Sequence, residues 1–164
     1  WNLGQLAVAL RLISDAPPLI AALERFAPLY QQALVRRFCW RLGVVSQGLD
    51  ADRALVAAAE AVMMQGGVSI DAFFYAWIGD ATPECPAELL STESEVLWAA
   101  FGAVKAGYAS ARSRDHAYWH GDSPQSMLID EVESIWAAIA ERDDWGPLFA
   151  KVDAVRAMGE ALRG

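Results

Sequence analysis

Apolar residues recur every three or four positions along most of this chain, which is the spacing of one face of an α-helix. The first run comprises Leu3, Leu6, Leu10 and Ile13. It stops at Pro17-Pro18, which end one helix and open the next. Strands need alternating apolar and polar residues, and no segment has that pattern. The sequence therefore predicts an all-α fold with no sheet.

The second helix is predicted from about Leu19 to Leu42, and Gly43 closes it. Pro28 lies inside this helix and is expected to kink or divide it, because proline lacks the backbone donor and clashes with the preceding turn. One side of the helix is expected to be buried, and its members are Leu23, Phe26, Tyr30, Leu34 and Phe38.

The middle of the chain contains three more predicted helices. Asp50 is the expected N-cap of the third, and Gly66-Gly67 its stop. A short fourth helix follows Ser69, before a loop at 79–88. Thr92 and Glu95 have the spacing of a capping box and open the fifth helix. The apolar positions of these helices are Leu55, Ala59, Val62 and Met63, then Phe73, Phe74, Trp77 and Ile78, then Leu97, Phe101, Val104 and Tyr108.

Two helices are predicted at the end of the chain. Ser123-Pro124 is expected to open one of them, and Asp144 to cap the other. Their apolar positions are Leu128, Val132, Ile135, Trp136 and Ile139, then Leu148, Val152, Val155, Met158 and Leu162. No fixed-period repeat is present, so residues 1–164 are predicted to form one compact multi-helix domain of about six to eight helices. Most of the seven tryptophans are expected in its core.

Composition excludes several classes of protein. A formal charge of −8 argues against a nucleic-acid-binding surface, which must neutralise phosphates. No apolar run is long enough for a membrane span, and no signal peptide is recognisable, so a soluble protein is expected. Two cysteines do not make a disulfide framework, which favours a reducing cytoplasm. The chain begins with Trp1 and has no initiator Met, which indicates either that the natural protein is processed or, as we favour, that further residues precede Trp1 in it.

The two histidines are the first candidates for chemistry. His116 and His120 are four apart, as in zinc sites on a helix. The Glu that follows the first His of a zinc protease is missing, Gly121 suggests that the helix ends there, and no third ligand is evident. A surface or capping role is therefore favoured over a metal-dependent enzyme.

The other charged groups and the cysteines also have structural interpretations. Cys39 fits a buried apolar residue, whereas Cys85 lies in a loop without a basic neighbour to activate its thiol. The acidic clusters have the residue types of a Mg²⁺ site or an acid–base pair, but a solvated face is favoured. They are Asp130, Glu131 and Glu133, and then Glu141, Asp143 and Asp144. Among Arg36, Arg37 and Arg41, the last two are spaced to hold a phosphate or a partner's carboxylate, with an intramolecular ion pair favoured.

Phosphate loops, dinucleotide fingerprints and nucleophile elbows are all absent from the sequence. No residue is therefore assigned a catalytic, cofactor-binding or metal-binding role. From residue patterns alone, a free-standing helical module that binds another protein remains possible.

Short motifs in the first half of the chain resemble the selenoprotein O family. They are Trp1-Asn2-Leu3, Gln5-Leu6-Ala7, Ala9-Leu10, Phe26-Ala27, Leu29-Tyr30, Arg41-Leu42-Gly43 and Phe73-Phe74. The end of the chain departs from the family, because Met127 to Glu133 replaces its usual Asn-Pro and Arg-Asn pairs.

The resemblance implies that this chain is the C-terminal helical part of a larger pseudokinase-fold protein. Family members transfer AMP from ATP onto hydroxyl side chains of other proteins, with a divalent metal such as Mg²⁺. The family's nucleotide, metal and catalytic residues all lie upstream of the position that matches Trp1. The expected partners of this chain are thus the kinase-like lobes of its own protein, with no nucleic acid, no membrane and no cofactor in the chain itself.

Overall fold

The computed structural model describes residues 1–64, 68–87 and 92–164. Its seven α-helices in these ranges are α1 (Asn2–Leu10), α2 (Ala16–Leu42), α3 (Leu49–Met64), α4 (Ile70–Ala76), α5 (Thr92–Lys105), α6 (Ile129–Arg142) and α7 (Gly146–Ala161). A 3-10 helix, Ala117–His120, lies between α5 and α6. Within the same ranges the β-structure is limited to an isolated antiparallel bridge between Val44 and Ser110. The predicted all-α fold without a sheet is confirmed.

The core lies where α3 packs against α5 and the second half of α2, and aromatic residues of α4 belong to the same buried cluster. Its aromatic centre joins Phe73, Trp77 and Phe101, and the Phe101 ring centroid lies 5.1 Å from that of Phe73 and 4.7 Å from that of Trp77. Edge-on and tilted contacts of this kind add to the free energy gained by burying the rings. The other buried members are Cys39, Leu42, Val44, Leu55, Ala59, Val62, Phe74 and Trp98.

The short helix α4 follows the sequence prediction closely. The hydroxyl of Ser69 accepts a hydrogen bond from the Ala72 amide at 3.2 Å, so Ser69 caps the helix as predicted. Residues 81–86 form the predicted loop after it. Gly66, Gly67 and Glu88 lie outside the described residues, as does the side chain of Thr92, so the predicted glycine stop and capping box stay predictions.

The boundaries of α1 and α2 differ from the predicted ones. Helix α1 ends at Leu10, before Ile13, and α2 begins at Ala16 rather than Leu19. Pro17 and Pro18 thus lie within the first turn of α2, where the missing N–H has no partner to lose. Pro28 does not divide α2, and Gly43 ends it in a left-handed conformation with φ +63°, as predicted.

The prediction of a buried face along all of α2 is wrong for its first half. Leu23, Phe26 and Tyr30 are 37%, 47% and 55% exposed. Leu34 and Phe38 are half-buried, and full burial begins with Val35, Cys39 and Leu42. Apolar spacing identifies the face of a helix but not what covers it. In the described part of the chain, α1 is the main element packed against the first half of α2.

Helices α3, α6 and α7 begin elsewhere than predicted. Asp50 lies in the first turn of α3 rather than at its cap. Helix α6 starts at Ile129 instead of Ser123, because the residues before it are bound elsewhere: the Gln125 amide donates to the Tyr118 hydroxyl, and the Ser126 hydroxyl to Asp71.

Helix α7 begins at Gly146, with Trp145 at its N-cap position. The carboxylate of Asp144 still accepts a hydrogen bond from the Gly146 amide at 3.0 Å, so it does serve the start of this helix. Among the helices that the structure describes, none is long and apolar enough to cross a membrane.

Candidate docking surface

The N-terminal hairpin, defined here as residues 2–30, exposes many large apolar side chains. Every residue from Ile20 to Ala33 is exposed. Phe26 and Tyr30, one turn apart, stack on each other with ring centroids 5.7 Å apart. The other exposed apolar residues in or beside the hairpin are Trp1, Leu3, Leu6, Val8, Leu12, Ile13, Ile20, Leu23 and Leu29. Many exposed apolar side chains on one pair of helices are typical of a surface that contacts another protein segment.

A second exposed apolar surface lies on α6 and α7. Between these helices is an open, mostly apolar cleft of about 410 Å³. Trp136 is 65% exposed and Phe149 62% exposed, and Val132 and Val152 are each 36% exposed. At one side of the cleft Lys151, only 8% exposed, donates hydrogen bonds to both carboxylate oxygens of Glu131 at 2.8 and 2.7 Å. This ion pair joins α6 to α7.

The tryptophans are therefore divided between core and surface. Trp77, Trp98 and Trp119 are buried, whereas Trp40 is half-buried. Trp1, Trp136 and Trp145 are exposed. The expectation of a tryptophan-rich core holds for only part of the set, and the exposed rings belong to the two apolar surfaces.

The two histidines do not form the helical pair that a zinc site needs. His116 is the N-cap of the 3-10 helix, and its Nδ1 accepts a hydrogen bond from the Tyr118 amide at 3.1 Å. His120 is the last residue of the same helix, so the spacing of four residues is not that of one α-helical face. In the ranges that the structure covers, no group of three or more His, Cys, Asp and Glu side chains is placed to hold a metal ion.

The acidic side chains singled out in the sequence contact their own structure. Glu131 pairs with Lys151, as described above, and Glu141 lies 3.3 Å from Arg142. Asp143 accepts a hydrogen bond from the Trp145 indole at 2.9 Å, and Asp144 accepts one at the start of α7. Asp130 and Glu133 are exposed on α6. The carboxylates thus do not converge on one point.

The arginine cluster of α2 divides into separate roles. Arg41 forms an ion pair with Asp71 at 2.9 Å, which is the intramolecular pairing that the sequence favoured. Arg37 instead lies over the Trp40 ring, with its guanidinium carbon 3.7 Å from the ring centroid. The two therefore do not act as one phosphate-binding pair. Arg36 is exposed and lines an open cavity.

Both thiols are in surroundings that disfavour the thiolate. Cys39 is 3% exposed, as predicted, and burial followed by repulsion from the Asp52 carboxylate raises its pKa from 9.0 to about 11. Cys85 is half-buried, and burial and then the charge of Glu95 raise its pKa too. A nucleophilic or redox-active cysteine needs a lowered pKa, so neither has the surroundings of an activated thiol.

The sequence did not single out several buried or half-buried charged residues, among them Asp52, Lys105 and Arg112. Asp52 is 3% exposed; hydrogen bonds from the Ser46 hydroxyl and the Gln47 amide hold its pKa below the usual value, although burial alone opposes ionisation. Lys105 is 4% exposed and donates to the carbonyls of Gly79 and Ala81 at 2.7 and 2.8 Å. Arg112 has a buried Nε. Sequence offers no signal for them, because their partners are distant backbone atoms and loop residues.

These observations define the class of protein before any relative is considered: a helical region with exposed apolar surfaces, in whose described residues no cluster of three or more His, Cys, Asp and Glu could hold a metal ion. The model of the family described as protein adenylyltransferase SelO matches residues 1–156. The chain therefore belongs to the SelO family.

A curated relative is consistent with this assignment. The protein nucleotidyltransferase YdiU of Azotobacter vinelandii is 28% identical over 156 residues, and the match covers 90% of this chain but only 31% of the relative. The chain thus spans less than a third of the length of that relative. No solved structure matches it.

Proposed function

We propose that this chain is the C-terminal helical region of a protein adenylyltransferase with a kinase-like fold. The parent protein transfers AMP from ATP, with Mg²⁺, to a Ser, Thr or Tyr hydroxyl of a protein substrate in the cytoplasm. In that reaction the hydroxyl oxygen forms a bond to the α-phosphorus of ATP, pyrophosphate leaves, and the hydroxyl proton passes to a base. In this proposal the nucleotide, the metal and the base are held by the parent's kinase-like lobes, and the present region supports those lobes.

The exposed apolar face of the N-terminal hairpin is the observation that favours a role in supporting the lobes. A helical pair of this length gains little stability in water unless its apolar face is covered. Among the described residues, little besides α1 covers the first half of α2, and the curated relative is more than three times as long as the segment matched here. The occupant that we propose for this face is therefore the remainder of the same protein.

The proposal is tested on the full-length protein encoded by the continuous reading frame. Incubated with ATP labelled at the α-phosphate and with Mg²⁺, the full-length protein is expected to label protein hydroxyl groups. The 164-residue chain alone is expected to label none. Labelling by the chain alone would show that the region is itself catalytic, and a full-length protein without transfer activity would exclude the proposed reaction.

A second candidate function rests on the α6–α7 surface. The cleft is lined mostly by apolar residues of the two helices, among them Val132, Ile135 and Val155, which is the arrangement of a groove that accepts an apolar helix from another protein. The chain would then be a free-standing interaction module. That function predicts a reading frame that starts close to Trp1 and a chain that remains a stable monomer or symmetric dimer by itself. A frame that continues upstream into kinase-like lobes excludes it.

A further inference from the structure

An open cavity of about 570 Å³ lies at the second half of α2, away from the N-terminal hairpin. Its walls come from α2, the residues that follow it, the start of α3, the segment around residue 112 and the end of the chain. The charged side chains that line it are Arg36, Asp52, Arg112 and Arg163. Among these side chains, three guanidinium groups and one carboxylate leave an excess of two positive charges, in a chain whose formal charge is −8; the terminal carboxylate of Gly164, which also lines the cavity, offsets one of them.

The position of Arg112 is determined by backbone pairing. The Ala111 amide donates to the Gly43 carbonyl at 2.8 Å, and the Val45 amide to the Ala109 carbonyl at 2.9 Å. Gly43 has φ +63°, and a Cβ there would lie 3.0 Å from the Cβ of Arg112. The glycine therefore allows the close approach that places Arg112 beside the end of α2.

The guanidinium of Arg112 has more N–H donors than the surrounding residues provide acceptors for. One Nη donates to the Trp40 carbonyl at 2.9 Å, while the buried Nε has no partner in the structure. The group lies 4.9 Å from the centroid of the Trp40 ring, which Arg37 also contacts. Burial, and then repulsion by Arg37, lower the pKa of Arg112. Positive charge is thus concentrated at this ring.

Side-chain carboxylates do not balance this concentration of positive charge. Within the described ranges, none of Arg36, Arg112 and Arg163 forms an ion pair with a carboxylate. Asp52 lines the same cavity, but its oxygens already accept hydrogen bonds from the Ser46 hydroxyl and the Gln47 amide. Arg163 donates its Nε to the Gly159 carbonyl at 3.0 Å, so an incoming anion would meet the remaining guanidinium donors of Arg163 and Arg112 together with those of Arg36.

We propose that this cavity binds the phosphate group of a small molecule through Arg36, Arg112 and Arg163. A guanidinium presents parallel N–H donors that match phosphate oxygens, and a phosphate monoester carries a charge of about −1.5 to −2 at pH 7. That charge matches the excess of two positive charges among the lining side chains. The cavity is also within the usual volume range of small-molecule sites, about 300–1,000 Å³.

Calorimetric titration of the chain with inorganic phosphate, and separately with AMP, tests the proposal. Saturable binding at one site is expected, and sulfate should compete. Arg36 and Arg163 are exposed, so the double variant Arg36→Gln/Arg163→Gln should keep its fold, as checked by circular dichroism. It should bind phosphate at least about tenfold more weakly, the effect of losing one charged hydrogen bond.

Arg142→Gln is the matched control, because Arg142 is exposed on α6 and pairs with Glu141 outside the cavity. It should bind phosphate like the original chain. Gly164 also lines the cavity, so the titrations are repeated with a short glycine tail that moves the terminal carboxylate away, and the same dependence on the arginines is expected.

The two probes separate the possible sources of the phosphate group. Equal affinity for phosphate and AMP identifies a site for the phosphate group alone, whereas tighter binding of AMP identifies a nucleotide. The proposal is overturned if neither probe saturates, or if the double variant and the control bind equally well. Failure here leaves the proposed AMP transfer unaffected, because that reaction is assigned to other parts of the parent protein.

Discussion

Replacing Gly79 by Ala is expected to destabilise the chain more than the same change at another left-handed glycine. Gly79 has φ +63°, and an added Cβ would lie 2.7 Å from the carbonyl oxygen of Arg112. Real Cβ atoms essentially never approach backbone so closely, and the Arg112 carbonyl cannot simply rotate away. The Gly79 amide also donates to the Leu42 carbonyl at 2.8 Å, which holds the backbone in place.

The magnitude follows from three contributions. The left-handed conformation costs an alanine about 1–2 kcal/mol, and displacing the residue 112 backbone adds about 1–3 kcal/mol, the range measured for overpacking. Reduced entropy of the unfolded chain returns about 0.4–1 kcal/mol. Gly79→Ala should therefore lower the free energy of unfolding by about 2–4 kcal/mol.

Gly48→Ala is the matched control for this prediction. Gly48 also has a positive φ, +102°, but nothing lies within 4 Å of a Cβ added there. Its substitution should cost only the backbone contribution less the same entropic return, about 0.5–1.5 kcal/mol. Urea unfolding followed by tryptophan fluorescence measures both variants. If Gly79→Ala costs no more than Gly48→Ala, the close packing of Gly79 against residue 112 is wrong.

Two further predictions concern the core. Phe101→Ala should lower the free energy of unfolding by about 3–5 kcal/mol, because Phe101 is fully buried among aromatic rings. Val96→Ala on the exposed face of α5 should change it by less than about 1 kcal/mol. Equal losses for the two variants in urea unfolding would contradict the placement of Phe101 in the core. Burial and the nearby Asp52 carboxylate raise the pKa of Tyr108 from 10.0 to about 12. The folded state thus resists loss of the Tyr108 hydroxyl proton. The contribution of neutral Tyr108 to the free energy of unfolding is therefore complete below pH 10 and is lost as the pH rises toward 12. Tyr108→Phe should flatten the loss of stability in that window, and an unchanged pH profile would refute the assignment.

Local signals predicted those parts of the fold that local contacts determine. Ser69 caps α4 because its hydroxyl reaches an amide three residues along, and a pattern of sequence is sufficient to find such a contact. The prediction of where α6 starts was wrong for the opposite reason. Ser123-Pro124 is a good helix opening, but Gln125 and Ser126 are bound to Tyr118 and Asp71, which are distant in sequence or on other elements.

The surfaces were harder to predict than the helices. The spacing of Leu23, Phe26 and Tyr30 correctly marks one face of α2, yet burial depends on whether another element lies over that face. The arginine cavity could not be predicted at all, because Arg36, Arg112 and Arg163 come from three separate segments. Only the pairing of Gly43 with Ala111 brings the second of them to α2.

Phe26→Ser tests most directly whether the N-terminal hairpin docks onto the rest of the parent protein. The substitution is made both in the isolated chain and in the full-length protein. In the isolated chain Phe26 is 47% exposed, so its loss should change the free energy of unfolding by no more than about 1 kcal/mol. In the full-length protein the same side chain would be buried, and the cost should rise to about 3 kcal/mol or more, with reduced AMP transfer. Val96→Ser, at a position 61% exposed on α5, is the control and should have little effect in either context.

The measurement is thermal unfolding of Phe26→Ser, Val96→Ser and the unaltered sequence, each as the isolated chain and in the full-length protein. AMP transfer is measured for the full-length forms. If the hairpin docks, Phe26→Ser causes a large loss of melting temperature in the full-length protein alone. Equal, small losses for Phe26→Ser in both contexts, with AMP transfer unchanged, would show that the hairpin face stays uncovered and would contradict docking.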